Sequence, residues 1–402
     1  MQEVIQTYMN EIKDDLIKMR RHLHQNPELS TQEWETSKFV QSKLEEFGIP
    51  FENGFAKTGA LGIIKGGHQG KTVALRADMD ALPIQELNSH DFVSKNENVM
   101  HACGHDAHTS MLLSTGYILN KMREHIHGTV LLVFQPAEEN SPVGGSQRML
   151  DDGVFDTYPP DVIYGQHVWP NLPAGQMGIR DKEMMGASDR FKIIVKGKGG
   201  HASMPHLTND AVVMTGHLIT SLQSIVSRNL DPLEASVVTI GKINGGYGHN
   251  VIADKVELEG TIRTYNPEIR ERLKERFHTI TNQVVQAFDG EVEIEYLEGY
   301  PATINTPEWA EVARESATKM LGDDAVPQVN PSLAGEDFSR FLHKYPGAFI
   351  WLGTQIEDKE NQAPLHDPNF KLNEKALPHG SAFLAQVAID TLNKLRSDYD
   401  EQ

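Results

Sequence analysis

This sequence predicts an α/β fold interrupted by an inserted β-α-β-β-α-β module, on three observations. Residues 1 to about 185 alternate helical and extended patterns. The runs Val-Ala-Leu-Arg-Ala (73–77) and Val-Leu-Leu-Val-Phe (130–134) are apolar on both faces, as strands covered from both sides are. Residues 188–298 change to an order of strand, helix, strand, strand, helix, strand, the ferredoxin-like split motif. Residues 299–402 then return to α/β patterning. The reading is one catalytic domain formed by 1–187 and 299–402, with 188–298 inserted as a second domain. A chain of 402 residues has room for both, at about 150 residues per domain.

The elements follow in order. Segments 1–21 and 30–47 read as helices, the second stopped by Gly48. Strands are expected at 59–65, 72–77, 129–134 and 162–165. Between them, 109–124 places Met111, Leu112, Thr115, Ile118, Leu119 and Met122 on one helical side. In the insertion, strands are expected at 190–196, 236–243, 255–264 and 291–297. Its helices fall at 209–228 and 267–288. The second of these opens on Pro267 and repeats Ile269, Leu273, Phe277, Ile280, Val284 and Phe288 at helical spacing. A strand at 348–352, a long loop and a helix at 381–395 close the chain.

Composition narrows the function. The 37 Lys+Arg against 56 Asp+Glu give a net charge of −19, which argues against a surface for nucleic acid or anionic membrane. No apolar run reaches the ~18 residues of a membrane span. The charged amphipathic stretch at 1–25 lacks the apolar core of a secretory signal, so the expected compartment is the cytoplasm. One cysteine, Cys103, excludes an intrachain disulfide, and 18 histidines stand against it.

Four segments carry candidate chemistry, each in a loop expected after a strand, where open α/β sheets bind ligands. His-Ala-Cys-Gly-His-Asp-Ala-His (101–108) holds three His, a Cys and an Asp, and an extended loop lets Cys103 and His105 reach one side. A buried strand runs into Pro136 and the adjacent carboxylates Glu138 and Glu139. Neighbouring side chains diverge, so one can hold a metal while the other faces a reacting water. A third strand delivers His167, and His366 lies in a loop stiffened by Pro364 and Pro368. Cys, His and Glu together suit Zn²⁺, Mn²⁺, Co²⁺ or Ni²⁺ rather than a Ca²⁺ cage. A metal acidifies a bound water, and a carboxylate beside it takes the proton. No G-x-S-x-G, Walker loop or Rossmann fingerprint is present.

Arg-Ala-Asp-Met-Asp-Ala-Leu-Pro (76–83), Met-His-Ala-Cys-Gly-His-Asp (100–106) and Gln-Pro-Ala-Glu-Glu (135–139) are joined by Gly-His-Ala-Ser-Met-Pro-His (200–206) and Gly-Gly-Tyr-Gly-His-Asn-Val-Ile (245–252). With these motifs the whole chain resembles the M20 metallopeptidase family, in its amidohydrolase branch of N-acyl-amino-acid deacylases, hippurate hydrolases and auxin-conjugate hydrolases. The resemblance implies a catalytic α/β domain with a central mixed sheet and a di-metal site, interrupted by a ferredoxin-like lid or dimerisation domain. It assigns Cys103, His105, Glu139, His167 and His366 to two divalent ions per subunit, Zn²⁺ or Mn²⁺ first, with Cys103 joining both. It assigns Glu138 as general base, and His201 as a donor to the substrate carbonyl oxygen across a homodimer. It places Asn250 and Arg263 on the substrate carboxylate. Asp78 sits where other branches carry a metal-binding His, and Asp78 and Asp80 are expected to support the ligands instead. His101, Asp106 and His108 receive no ligand role.

The expected activity is metal-dependent hydrolysis of the amide bond of an N-acetyl or N-benzoyl amino acid, a small molecule, to a carboxylate and a free amino acid. Two other readings stand beside it: a dipeptidase or carboxypeptidase using the same site, and a catalytically silent metal- and ligand-binding homologue. Retention of both Glu138 and Glu139 speaks against the last.

Overall fold

The computed structural model describes residues 1–400, with side chains through Arg396. The chain separates into two compact units, Met1–Met184 with Ile304–Asn330 and Asp337–Gln402, and Met185–Thr303 with Pro331–Glu336.

The first unit is built on a mixed seven-stranded sheet. Its order is Phe51–Phe55, Gly59–Lys65, His127–Gln135, His68–Asp78, Val162–Trp169, Gly347–Gly353, Met177–Gly178. The four strands from His127–Gln135 to Gly347–Gly353 are parallel to one another, and the pairings outside them are antiparallel. Their carboxyl ends therefore share one edge, and the polar segments after them leave from that edge.

Helices Gln2–Gln25, His105–Lys121 and Leu377–Asp400 pack on one another. The first buries Ile5, Met9, Ile12, Leu16, Met19 and Leu23, a three-and-four spacing that lines one face. Each such side chain contributes about 1.5–3 kcal/mol on burial, more than the few tenths that surface pairs add to a helix.

Two differences from the sequence reading bear on the site. The helix expected at 109–124 begins at His105, so His105 stands on its first turn and not in an extended loop. This helix is buried almost all round at its start, which erases the one-sided pattern that marks an amphipathic helix. The strand expected to stop at Gly165 continues to Trp169, so His167 lies within it. Gln166 and His167 interrupt the apolar run although both are buried, Gln166 against the Met177 sulfur and His167 against the Val168 carbonyl. Strand Phe51–Phe55 and helices Gly144–Asp151 and Pro307–Leu321 were not apparent in the sequence pattern.

Gly104 links Cys103 to the His105 helix. Its φ of 81° is left-handed, and a β-carbon there would lie 2.4 Å from Val168 Cγ2. Gly104→Ala is expected to cost about 1–2 kcal/mol in backbone strain, with the clash in addition. In a unit of this size the strain alone should lower Tm by about 2–4 °C, and metal retention should weaken. A wild-type melting curve for this variant would contradict the argument.

The second unit carries a four-stranded antiparallel sheet, ordered Ser236–Gly245, Lys255–Thr264, Ala187–Lys196, Glu291–Leu297. Helices Ala211–Asn229 and Pro267–Gln286 pack together and against it, around Phe191, Ile193, Leu218, Leu222, Leu258 and Phe277. Asp210 caps the first helix by accepting from the Val212 and Val213 N–H groups, and Asn266 caps the second ahead of Pro267. The chain order is strand, helix, strand, strand, helix, strand.

Candidate metal centre

Cys103, His105 and His167 present donor atoms within 4.8 Å of one another, and so do Cys103, Glu139 and His366. The two sets share Cys103. A third set, His105, Glu138 and Glu139, ties them together. All lie in the first unit, where four separate segments bring them to the carboxyl edge of the sheet.

Each member is held by its own element. His167 donates Nδ1–H to the Val168 carbonyl oxygen at 2.7 Å, which leaves Nε2 as the lone pair, 3.4 Å from Cys103 Sγ. Burial, then the neighbouring His108, hold the His167 imidazole well below its ordinary pKa, so it is neutral at pH 7 and fit to be a ligand. His366 has a left-handed φ of 66°, and its N–H is tied to the Ala102 carbonyl at 2.8 Å, beside Cys103. Half its side chain is exposed, against 0 % for His105, so the cluster opens to solvent on the His366 side.

The electrostatics favour a cation. Burial pulls the His105 imidazolium pKa down, yet Asp78, Asp80 and Glu139 outweigh burial and push it up to about 10. A neutral imidazole ligand and a divalent ion would satisfy the same field that here retains a proton. His105 Nδ1, His105 Nε2 and Glu139 Oε1 are buried and make no hydrogen bond among the described residues. His105 Nδ1 lies 3.3 Å from Asp80 Oδ1, off hydrogen-bond alignment. Unsatisfied buried polar atoms cost about 1–3 kcal/mol each, and several converging in one place fit a bound metal. The donor set of thiolate, imidazole and carboxylate fits Zn²⁺ and its first-row neighbours.

Around the donors lies a shell of satisfied groups. Asp78 accepts from Arg76 Nη1 at 2.7 Å and from His108 Nδ1 at 2.5 Å, and His108 Nε2 in turn accepts from Val168 N–H at 2.8 Å. Both His108 nitrogens are thus engaged. Arg76 is fully buried and also reaches Gln135 and Asp337, each at 2.8 Å. Its guanidinium and the two nearby imidazoles outweigh burial and hold Asp78 well below the usual carboxylate range. Asp106, the neighbour of His105, pairs with Arg20 at 2.9 Å and with His24 Nδ1 at 2.7 Å.

Glu138 is 6 % exposed, and its Oε1 accepts the Asp337 N–H at 3.3 Å. The chain turns into it through Ala137, whose φ of 55° is left-handed. That conformation costs about 1–2 kcal/mol for alanine. Three peptide N–H groups offset it. Ala137 donates to Glu33 at 2.9 Å, and Glu138 and Glu139 donate to the two oxygens of Asp80 at 3.0 Å each. Hydrogen bonds to a charged acceptor are worth about 1.5–3 kcal/mol each, so the two to Asp80 exceed the strain by themselves. Burial would raise the Asp80 pKa, but His105, Ser30 and the Glu139 N–H outweigh it and keep Asp80 an anion.

The remaining candidates lie in the second unit. His201 is exposed on the two-residue strand Gly200–His201, paired with Val251–Ile252, and the Asn250 carbonyl accepts the Ala202 N–H at 3.1 Å. His201 and Asn250 therefore meet on one ribbon. His201 Nδ1 accepts from Ser203 N–H at 3.2 Å, which puts the proton of the neutral tautomer on Nε2, where it meets no acceptor among the described residues. Arg263 is half-buried on strand Lys255–Thr264.

An α/β sheet carrying a mixed thiolate, imidazole and carboxylate cluster beside a buried carboxylate defines a metal-dependent hydrolase. The family comparison agrees: residues 74–390 match the model for peptidase family M20/M25/M40, and the chain belongs to that family. It is 39 % identical over 395 residues to thermostable carboxypeptidase 2 of Saccharolobus solfataricus, covering 98 % of this chain and 99 % of that one. It is also 39 % identical over 380 residues to the N-acetyl-L-cysteine deacetylase of Bacillus subtilis, covering 94 % and 89 %. Among solved structures, a dinuclear metal-binding peptidase of the M20 family from Bacillus subtilis superposes with a TM-score of 0.83 at 35 % identity, covering 96 % and 99 %.

Proposed function

We propose that the protein hydrolyses the amide bond of an N-acyl amino acid with a free carboxylate, releasing a carboxylic acid and the amino acid. The observation that carries this is Glu138, a buried carboxylate next in sequence to Glu139 and in one cluster with it and His105. The deacetylase relative supports the acyl substrate. Cys103, His105, His167, Glu139 and His366 would hold two divalent ions, Zn²⁺ or Mn²⁺, with Co²⁺ or Ni²⁺ also admitted by the donors. Cys103 is the member common to both donor sets. When bound, such ions polarise a carbonyl and acidify water.

The chain's own residues do the rest. Glu138 takes the proton of the attacking water and passes it to the departing amine nitrogen. His201 donates Nε2–H to the carbonyl oxygen as negative charge develops there. Asn250 and Arg263 receive the substrate carboxylate. We read the second unit as a ferredoxin-like lid through which two chains dimerise. Its Glu291–Leu297 edge presents the exposed Glu291, Glu293 and Glu295, whose like charges discourage pairing. The opposite edge, Ser236–Gly245, is then the one that joins a second copy, and each His201 serves the partner's site.

Chelator-treated protein should lose N-acetylmethionine hydrolysis and regain it with Zn²⁺ or Mn²⁺. Activity that survives removal of all metal would sink the proposal. Under subunit exchange, inactive Glu138→Gln mixed with inactive His201→Ala should recover part of the activity, since one site of the heterodimer is intact. Exchange without recovery would place His201 in its own chain's site or outside catalysis. The carboxypeptidase relative favours a second reading, in which the same residues cleave a peptide bond next to a free carboxylate.

A further inference from the structure

The connector between the first two helices carries a carboxyl group that reaches beyond its own neighbours. Glu33 stands at the N-cap of helix Trp34–Glu46, a place suited to the shorter Asp or Ser, and its side chain makes no cap bond there. It is wholly buried instead. Its Oε1 accepts Ala137 N–H at 2.9 Å and Thr31 N–H at 2.8 Å, and its Oε2 accepts from Thr58 Oγ1 at 2.8 Å. Ala137 is the left-handed residue just before Glu138, 104 positions away along the chain.

The connector is itself strapped down. Ser30 Oγ donates to Asp80 at 2.5 Å, Ala81 N–H donates to the Glu28 carbonyl at 2.8 Å, and Leu29 bridges to Ala81. The segment that presents Glu33 is therefore anchored to the same residue, Asp80, that holds the next two peptides of the Glu138 loop.

We propose that Glu33 is a positioning residue for the reaction: by holding the Ala137 N–H it fixes the kink that aims Glu138. The inference rests on Glu138 being the base. Glu33 touches neither donor cluster, so its loss acts on aim and not on metal content. Burial and the Asp80 anion push Glu33 up to about 7, and the Ala137 and Thr31 N–H groups require only an acceptor oxygen, charged or neutral. Gln offers the same acceptor to Ala137 and Thr31, and an amide N–H to Thr58. Asp offers the charge but falls one methylene short.

The test compares Glu33→Ala, Glu33→Asp and Glu33→Gln with Glu138→Gln, all metal-loaded. It reads kcat, KM, metal content and melting on N-acetylmethionine. A shift of about 1 Å in a reacting group costs on the order of 10²-fold. Glu33→Ala and Glu33→Asp should therefore lose about 10–100-fold in kcat, with KM within about threefold and metal content unchanged. Glu33→Gln should keep most of its turnover. Wild-type kcat in Glu33→Asp, a loss that tracks lost metal or lost fold, or a Gln variant as poor as Ala would each overturn the proposal. Near-native turnover in Glu138→Gln would instead overturn the assignment of the base, and is read separately.

Discussion

Glu138→Gln should lose about 10²–10⁴-fold in kcat, the usual worth of a general base, while fold and metal content stay as in the wild type. The amide keeps the shape of the side chain and can still accept the Asp337 N–H that holds Oε1. It cannot take a proton from water at neutral pH. The surrounding clamp is made of backbone N–H groups of residues 137–139 and does not depend on the Glu138 carboxylate. The loss should appear in kcat with little change in KM, because proton transfer is made in the transition state and not in substrate binding. A variant with near-native kcat would remove Glu138 from the chemistry.

Cys103→Ala should have the other large effect, on metal. Cys103 alone belongs to both the His105–His167 set and the Glu139–His366 set. Its removal takes a donor from each, whereas His366→Ala takes one from a single set. Metal analysis after exhaustive dialysis should find Cys103→Ala depleted of both ions and His366→Ala depleted of one, with turnover lost in the first. The fold should survive in both, since Cys103 is a small side chain on a loop and His366 is half exposed. Two ions retained by Cys103→Ala would rule out a shared thiolate.

The proposed donors stood out in the sequence for three different reasons: Glu138, Glu139 and His167 follow apolar runs, Cys103 and His105 fall in a cluster of His, Cys and Asp, and His366 lies between two prolines. Glu138 and Glu139 follow a buried five-residue apolar run, and His167 follows another. Their geometry was less legible. His105 reads as a loop residue because the first turn of its helix is polar and buried at once. Arg76, Asp78 and Asp80 alternate along a strand end, a pattern that flags them together without saying that Asp78 answers His108 and Asp80 answers a loop. Glu33 and Asp337 gave no signal at all. One sits in a polar connector and the other in an irregular stretch, and what defines each is a partner more than 100 residues away. Contacts of that range are made by topology, and local pattern does not encode them.

Hydrolysis of N-acyl amino acids is tested most directly by kcat/KM of the metal-loaded protein for N-acetylmethionine and hippurate, set beside an unblocked dipeptide of the same C-terminal residues, measured by release of the free amino acid. Turnover of the N-acyl compounds is expected with kcat/KM at least about tenfold above the dipeptide, a preference of about 1.4 kcal/mol in the transition state. Efficient cleavage of the dipeptide with the N-acyl compounds untouched would contradict it.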